Sequence, residues 1–233
     1  HVPDVLGGDG KKLSKRHGAT SVDEFRAAGY LPAALMNFLA LLGWAPDGET
    51  TLMSRDELVA RFSLERVGAS PATLDYAKLD WMNGVYLRAL GADEYGDALV
   101  SYLREQGIDW DEARVREAAP LVQEKIARLG EFPAFAGFLF HHVEPPPLAG
   151  ADAALLEAAR AALAGVEPWR APAIEEALKA LCARLGEKPR TVFAPVRLAV
   201  TGSKVSPGLY ESLELLGKEE ALDRIQAALG SPA

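Results

Sequence analysis

Cysteine is nearly absent: one residue, Cys182, among 233. That excludes an internal disulfide framework and fits a reducing compartment, with the cytoplasm as the default location. Histidine is scarce as well, at four residues, and no zinc-ligand spacing exists. The adjacent pair His141-His142 would point about 100° apart on a helix, so it cannot share an ion in the i, i+4 manner. Apolar runs stay short of the roughly 18 to 20 residues that cross a bilayer, and no charged-then-apolar leader precedes residue 20, so no membrane partner is expected. A Gly-x-Ser-x-Gly elbow, a glycine-rich dinucleotide fingerprint and strand–helix alternation are all lacking. What remains assembles no self-contained active site, and neither a metal nor a cofactor held by this chain alone is expected.

Positive charge is in deficit too: 25 Lys and Arg against 33 Asp and Glu leave a net charge of −8. Phosphate contact normally leaves a basic footprint, so nucleic acid could be held only at local patches. Two exist. Residues 11–16 carry Lys11, Lys12, Lys15 and Arg16 with no acid among them, and residues 188–204 carry Lys188, Arg190, Arg197 and Lys204, again with none. The acids collect on helical stretches such as 93–117 and 211–220.

An apolar share of 49% is ample for real cores. Almost everything after residue 20 reads as helix. Pro32 suits a first turn followed by Leu35, Phe38, Leu39 and Leu42 at helical spacing. Ser54 caps residues 55–62, with Glu57 completing a capping box. Ser70-Pro71 is expected to open a helix running towards Leu79 and Trp81. Further helices are expected over 93–106, from Asp111 with an interruption at Pro120, over 151–163, and along the stripe Ile174, Leu178, Leu181, Cys182 and Leu185. Pro145-Pro146-Pro147 marks a linker. Ser206-Pro207 is expected to start a short helix ending at Gly217, and residues 218–229 form the last. The fold class that follows is all-α, as small helical bundles in series.

Four segments carry chemistry. Lys12-Leu13-Ser14-Lys15-Arg16 lies beside Gly7-Gly8-Asp9-Gly10. A flexible cationic loop of that kind suits transient neutralisation of a polyphosphate as charge builds on a leaving pyrophosphate; a solvated basic loop would look the same. Lys78 and Trp81 lie three apart, so one helical face would offer a cation beside an indole to phosphate and to sugar or base. The alternative is a core tryptophan with a snorkelling lysine. Arg197, followed by Ser206-Pro207-Gly208-Leu209-Tyr210, supplies a donor fork, a fixed backbone and an apolar platform, which are the needs of splayed bases. An ordinary helix corner with Tyr210 in the core would use the same residues. Lys125, between Glu124 and Ile126, reads equally as an exposed helical lysine.

In order and spacing these segments resemble bacterial-type glutamyl-tRNA synthetases. Residues 11–19, read through Gly29-Tyr30-Leu31-Pro32 and Leu42-Gly43-Trp44, are similar to the family's second signature loop, the KMSKS loop. Residues 78–84 look like its KLxWxN element, and residues 196–220 resemble its C-terminal anticodon-binding domain. Lys125 stands where the family often carries an arginine that reads the first anticodon base; lysine keeps the charge but loses the planar fork. Tyr210 stands where phenylalanine is common. The resemblance implies that Lys12, Ser14, Lys15 and Arg16 contact ATP phosphates. It implies that Lys78 and Trp81 approach the inner elbow of tRNA, and that Lys125, Arg197, Ser206, Pro207, Leu209 and Tyr210 face the anticodon. It further implies four parts: residues 1–20 as the tail of a catalytic domain, 21–91 as a stem-contact region, and 92–147 and 148–233 as two anticodon-binding subdomains.

The intact family enzyme joins glutamate to its tRNA with ATP and magnesium through an aminoacyl-adenylate. Its nucleotide-binding α/β domain, with a HIGH-type motif, is not in this sequence, and a start at His1 rather than Met fits an excised or processed piece. The expectation is therefore binding of tRNA(Glu), with tRNA(Gln) left open, without aminoacylation by this chain alone. The catalytic domain would be its partner in cis. Two rivals are a free-standing helical RNA-binding module and a helical protein-interaction scaffold.

Overall fold

The computed structural model describes residues 4–18, 20–146, 148 and 150–230. His1, Ala19 at the end of the basic loop, and Pro147 of the linker prolines lie outside the described residues. The chain forms two compact units, His1–Phe132 and Pro133–Ala233.

In the first unit, α1 (Val22–Ala27) starts at a Ser21 cap. The Ser21 hydroxyl accepts the Glu24 N–H, and the Glu24 carboxylate accepts the N–H groups of Thr20 and Ser21 at 2.7 and 2.9 Å. Those backbone donors hold the pKa of Glu24 at about 2. Pro32 takes the first turn of α2 (Pro32–Ala40), which buries Leu35 and Phe38 in a core with Phe25, Tyr30, Leu74, Leu79 and Met82. The Ser54–Glu57 capping box forms as expected at the start of α3 (Arg55–Arg61), over a smaller core of Trp44, Met53 and Leu58.

Ser70-Pro71 does not open a helix. Instead β1 (Val5–Leu6) pairs in parallel with β2 (Ala72–Thr73), and Leu74 enters the core from extended backbone. The helix begins only after Asp75, whose carboxylate accepts the Lys78 N–H at 3.1 Å, giving α4 (Tyr76–Ala89). This two-stranded sheet is the only one among the described residues, and the fold is all-α in every other respect. α5 (Ala92–Glu105) packs on α6 (Glu112–Gln123). α6 continues past Pro120 for three residues. Burial of Val115, Ala118, Ala119 and Val122 offsets the roughly 3 kcal/mol that an interior proline costs.

Short α7 (Phe132–Ala136) leads into the second unit, where α8 (Ala151–Ala164) packs against α9 (Ala171–Leu185), α10 (Pro189–Thr201) and α12 (Lys218–Gly230). The expected stripe on α9 is buried at Ile174, Leu178, Leu181 and Cys182, with left-handed Gly186 (φ 67°) as the stop, while Leu185 stays exposed. α11 (Leu209–Leu216) begins after Gly208, not at Ser206-Pro207 as expected, because the Ser206 hydroxyl is engaged by Arg197 rather than by helix N–H groups.

Glu214 ties α11 to the start of α9: its carboxylate accepts the Ala171 N–H at 2.6 Å and Arg170 Nη1 at 2.9 Å, and Trp169 Nε1 donates to Leu213 O at 2.9 Å. Arg170 and the Ala171 N–H together lower the Glu214 pKa below its ordinary value of 4.5. A lowered native pKa stabilises the fold above pH about 4.5, and that contribution is lost as pH falls through the native value. Glu214→Gln should therefore cost most near neutral pH and least in acid. Denaturant midpoints followed by Trp169 fluorescence check this; an equal cost at every pH would contradict it.

Candidate nucleic-acid interface

Lys12, Ser14, Lys15 and Arg16 are all exposed. The loop is shaped by hydrogen bonds from Gly7 N to Lys11 O (2.8 Å) and from Leu13 N to Val5 O (2.9 Å). Its organiser is a residue that sequence reasoning passed over. The His17 ring is enclosed; its Nδ1 accepts the Ser14 N–H at 3.0 Å, and its Nε2 lies 3.0 Å from Asp9 Oδ1. Gly7 permits this, since a Cβ there would fall 2.6 Å from the ring. The Lys11 N–H, then His17, hold Asp9 below the usual carboxylate range. Lys12 pairs with Asp4 at 2.9 Å and Arg16 with Asp9 at 3.4 Å, both in solvent, where such pairs are weak and readily exchanged for a ligand.

On α4, Leu79, Met82, Asn83 and Leu87 are buried, while Lys78 is exposed and Trp81 is 50% exposed. Trp81 is thus not a core residue. Between them Asp80 accepts the Tyr30 hydroxyl at 2.5 Å and lies 3.4 Å from Arg128, whose guanidinium covers the Tyr30 ring at 5.6 Å. Burial, then Asp80, pushes the Tyr30 hydroxyl well above its ordinary pKa.

Lys125 is exposed in the turn that follows α6, not on a helix. That turn is bound closely to α4. Gln123 Nε2 donates to Leu87 O and Leu90 O at 2.8 and 3.0 Å, and Asn83 Nδ2 donates to Ala127 O at 2.5 Å. Asn83 Oδ1 meanwhile accepts the Leu31 N–H at 2.8 Å. Beyond it, Leu129 N donates to Gly29 O, and the backbones approach so closely that a Cβ on Gly29 would fall 2.3 Å from Gly130 N. Lys78, Trp81 and Lys125 are therefore carried by one compact unit.

In the second unit, Arg190, Phe193 and Arg197 share a face of α10, lining a cavity of about 410 Å³ with Lys204 and Asp152. The Phe193 and Tyr210 rings meet edge to face, with centroids 5.7 Å apart. Arg197 Nη1 donates to Pro207 O at 2.7 Å and to the Ser206 hydroxyl. Burial lowers the Arg197 pKa, and Tyr210 partly offsets this. Leu209, 4% exposed, and buried Pro207 support the surface from beneath; Ser206 and Tyr210 reach it. In the sequence Arg190 and Lys204 register only as charge. Phe193 was detectable from its i, i+4 spacing to Arg197.

Residues 94–229 match the family model described as the anticodon binding domain, and residues 1–81 match that of the class I tRNA synthetase (E and Q) catalytic domain. A glutamate–tRNA ligase from Roseiflexus is 42% identical over 244 aligned positions, spanning 98% of this chain and 48% of that protein. One from Saccharopolyspora erythraea is 43% identical, spanning 99% and 49%. The crystal structure of a glutamate tRNA ligase from Elizabethkingia meningosepticum, solved with its amino acid, is 26% identical with a TM-score of 0.82, covering 98% of this chain and 50% of that one. The chain spans about half the length of the curated relatives it matches. No helix among the described residues is long and apolar enough to cross a membrane. The chain belongs to the family described as the anticodon binding domain, and along nearly its whole length it is similar to bacterial glutamate–tRNA ligases.

Proposed function

We propose that this chain is the tRNA-binding part of a glutamate–tRNA ligase, gripping tRNA(Glu) at the inner elbow and at the anticodon. The observation that carries this reading is the α10 face within the matched anticodon-binding stretch. There, two guanidiniums flank Phe193, and Arg197 is pinned to the Ser206–Pro207 turn beside Tyr210. Pinned donors and an aromatic platform read unpaired bases with little ordering cost. Residues 21–91 would form the stem-contact region, with Lys78 and Trp81 reaching the RNA. Residues 92–147 and 148–233 would form the anticodon-binding parts, reading through Lys125, Arg197, Ser206 and Tyr210, with Pro207 and Leu209 beneath. tRNA(Gln) is a second partner of the same chemistry.

The exposed cations of residues 12–16 fit the ATP phosphates that the intact enzyme would use with magnesium, and Ser14 offers a hydroxyl beside them. Lys15 and Arg16, tethered at His17, would neutralise charge on the departing pyrophosphate. The residues of this chain alone are proposed to bind tRNA without aminoacylating it, the catalytic domain acting in cis. Appearance of ATP–pyrophosphate exchange in the purified chain would refute that.

The decisive experiment compares affinity for a tRNA(Glu) transcript with that for the same transcript carrying a swapped anticodon, at two salt concentrations. The swap should weaken binding at least tenfold, and Arg197→Ala about 10- to 100-fold at either salt, with Arg197→Lys in between. Equal affinity for both transcripts would point to a free-standing RNA module instead.

A further inference from the structure

Helix α2 lacks the polar face that an exposed helix needs. Its nine residues include no charged side chain, and its one amide, Asn37, is fully buried. The row that faces outward is Pro32, Ala33, Met36 and Leu39, with Met36 46% and Leu39 42% exposed. A helix that is apolar on every side is normally covered on every side. Among the described residues the outer row of α2 has no cover.

The row forms one wall of a cavity of about 660 Å³ in the His1–Phe132 unit. The other wall is α5, where Ala98, Ser101, Tyr102 and Glu105 fall at i, i+3, i+4 and i+7. Buried Tyr30, Leu35 and Leu129 lie at its floor, and Arg26 ties α1 to α5 beside it through Glu105, at 2.9 and 2.6 Å. Charge is one-sided. α2 contributes none, whereas α1 and α5 carry six carboxylates, among them Asp23, Glu94 and Glu105, against two guanidiniums. Of those cations, Arg26 is spent on Glu105 and Arg104 on Glu112 of α6.

Such a margin repels phosphates and anionic lipid surfaces, which removes RNA and membranes as occupants. Both walls are helices with their backbone groups already paired, so no strand can be added at an edge. What fits is a ridge of side chains. α2 is about 14 Å long, enough for roughly two to three turns of a second helix to lie along it. A second copy of this chain is a poorer occupant, because a net charge of −8 on each opposes their approach. We infer that the α2–α5 groove receives a basic amphipathic helix of another protein. Its apolar row lies against Met36 and Leu39, and its lysines or arginines face the acids of α5. This docking surface is independent of the tRNA-binding reading.

The probe is a labelled synthetic helix of about 18 residues, with leucines at i, i+3, i+4 and i+7 spacing and lysines between them. One control carries glutamates for the lysines, and another disperses the same leucines by scrambling. Titrated with the whole chain, the lysine peptide should bind at least about tenfold more tightly than either control. The chain has three methionines, of which Met53 and Met82 are 2% and 0% exposed. In methyl NMR the peptide should therefore shift Met36 and leave the other two in place. Met36→Gln combined with Leu39→Gln, both at exposed positions, should weaken the lysine peptide about tenfold without moving the denaturation midpoint. If the midpoint does move, the Met36 methyl shift in the wild type decides alone. A scramble that binds as well, or binding that survives the double substitution, means that charge alone attracts the peptide and overturns the groove. Equal binding of the glutamate peptide overturns the basic partner. Sedimentation of the wild type should show a monomer; a dimer dispersed by the double substitution would give the groove to a second copy and overturn the proposal.

Discussion

Arg224→Met is expected to destabilise the Pro133–Ala233 unit by about 3–5 kcal/mol. Arg224 is 6% exposed and satisfies the carbonyls of Phe138, Val200 and His141, while its Nε donates to Glu220 at 2.6 Å. Methionine fills much of the same volume but takes the Arg224 donor away from the buried carbonyls of Phe138 and Val200, and each buried group that loses its donor costs about 1–3 kcal/mol. Glu220 is half exposed and can return to water, so the loss comes from the carbonyls rather than from a stranded charge. Arg224→Lys should recover part of the loss, because one ammonium cannot reach all three carbonyls. Chemical denaturation followed by Trp169, the one tryptophan of this unit, measures the effect. A cost below about 1 kcal/mol would mean that these bonds are replaceable by water.

Asn83→Leu should have the next largest effect, about 2–4 kcal/mol on the His1–Phe132 unit. Asn83 is fully buried and spends its two functions on Leu31 N–H and Ala127 C=O, both left unpaired by leucine. Asn83→Asp keeps the acceptor and loses the donor, so it should affect the Ala127 side more. The diagnostic readout is amide hydrogen exchange: Ala127 and Leu129 should lose protection while α10 keeps it. Uniform loss of protection across the chain would show a general destabilisation with no local anchor.

The elements with strong period or capping signals were readable from the residues. The Ser54–Glu57 box, the proline start of α2 and the α9 stripe each follow from a local rule that burial then reinforces. The errors lie where a partner distant in sequence decides. Two-residue strands carry no period, so β1 and β2 could not be seen, and Leu74 is drawn into the core before α4 can begin. Ser206 caps nothing because Arg197, nine residues earlier, takes its hydroxyl. Of the interface, its cations were legible and its supports were not. His17 and Asn83 act through contacts with Asp9 and Ala127 that no spacing reveals. Arg224 did leave a trace: it falls on the stripe of Ala221, Ile225 and Ala228, where a charge is unexpected.

The close approach of Gly29 to Gly130 has one more implication. With no room for a side chain, the turn bearing Lys125 and the helix bearing Lys78 and Trp81 keep a constant separation before any RNA arrives. The first unit then works as a caliper. In the proposed complex with tRNA it would accept a stem of one length between elbow and loop, and an extra base pair in that stem would carry the first anticodon nucleotide past the proposed contact at Lys125 however well its sequence matched.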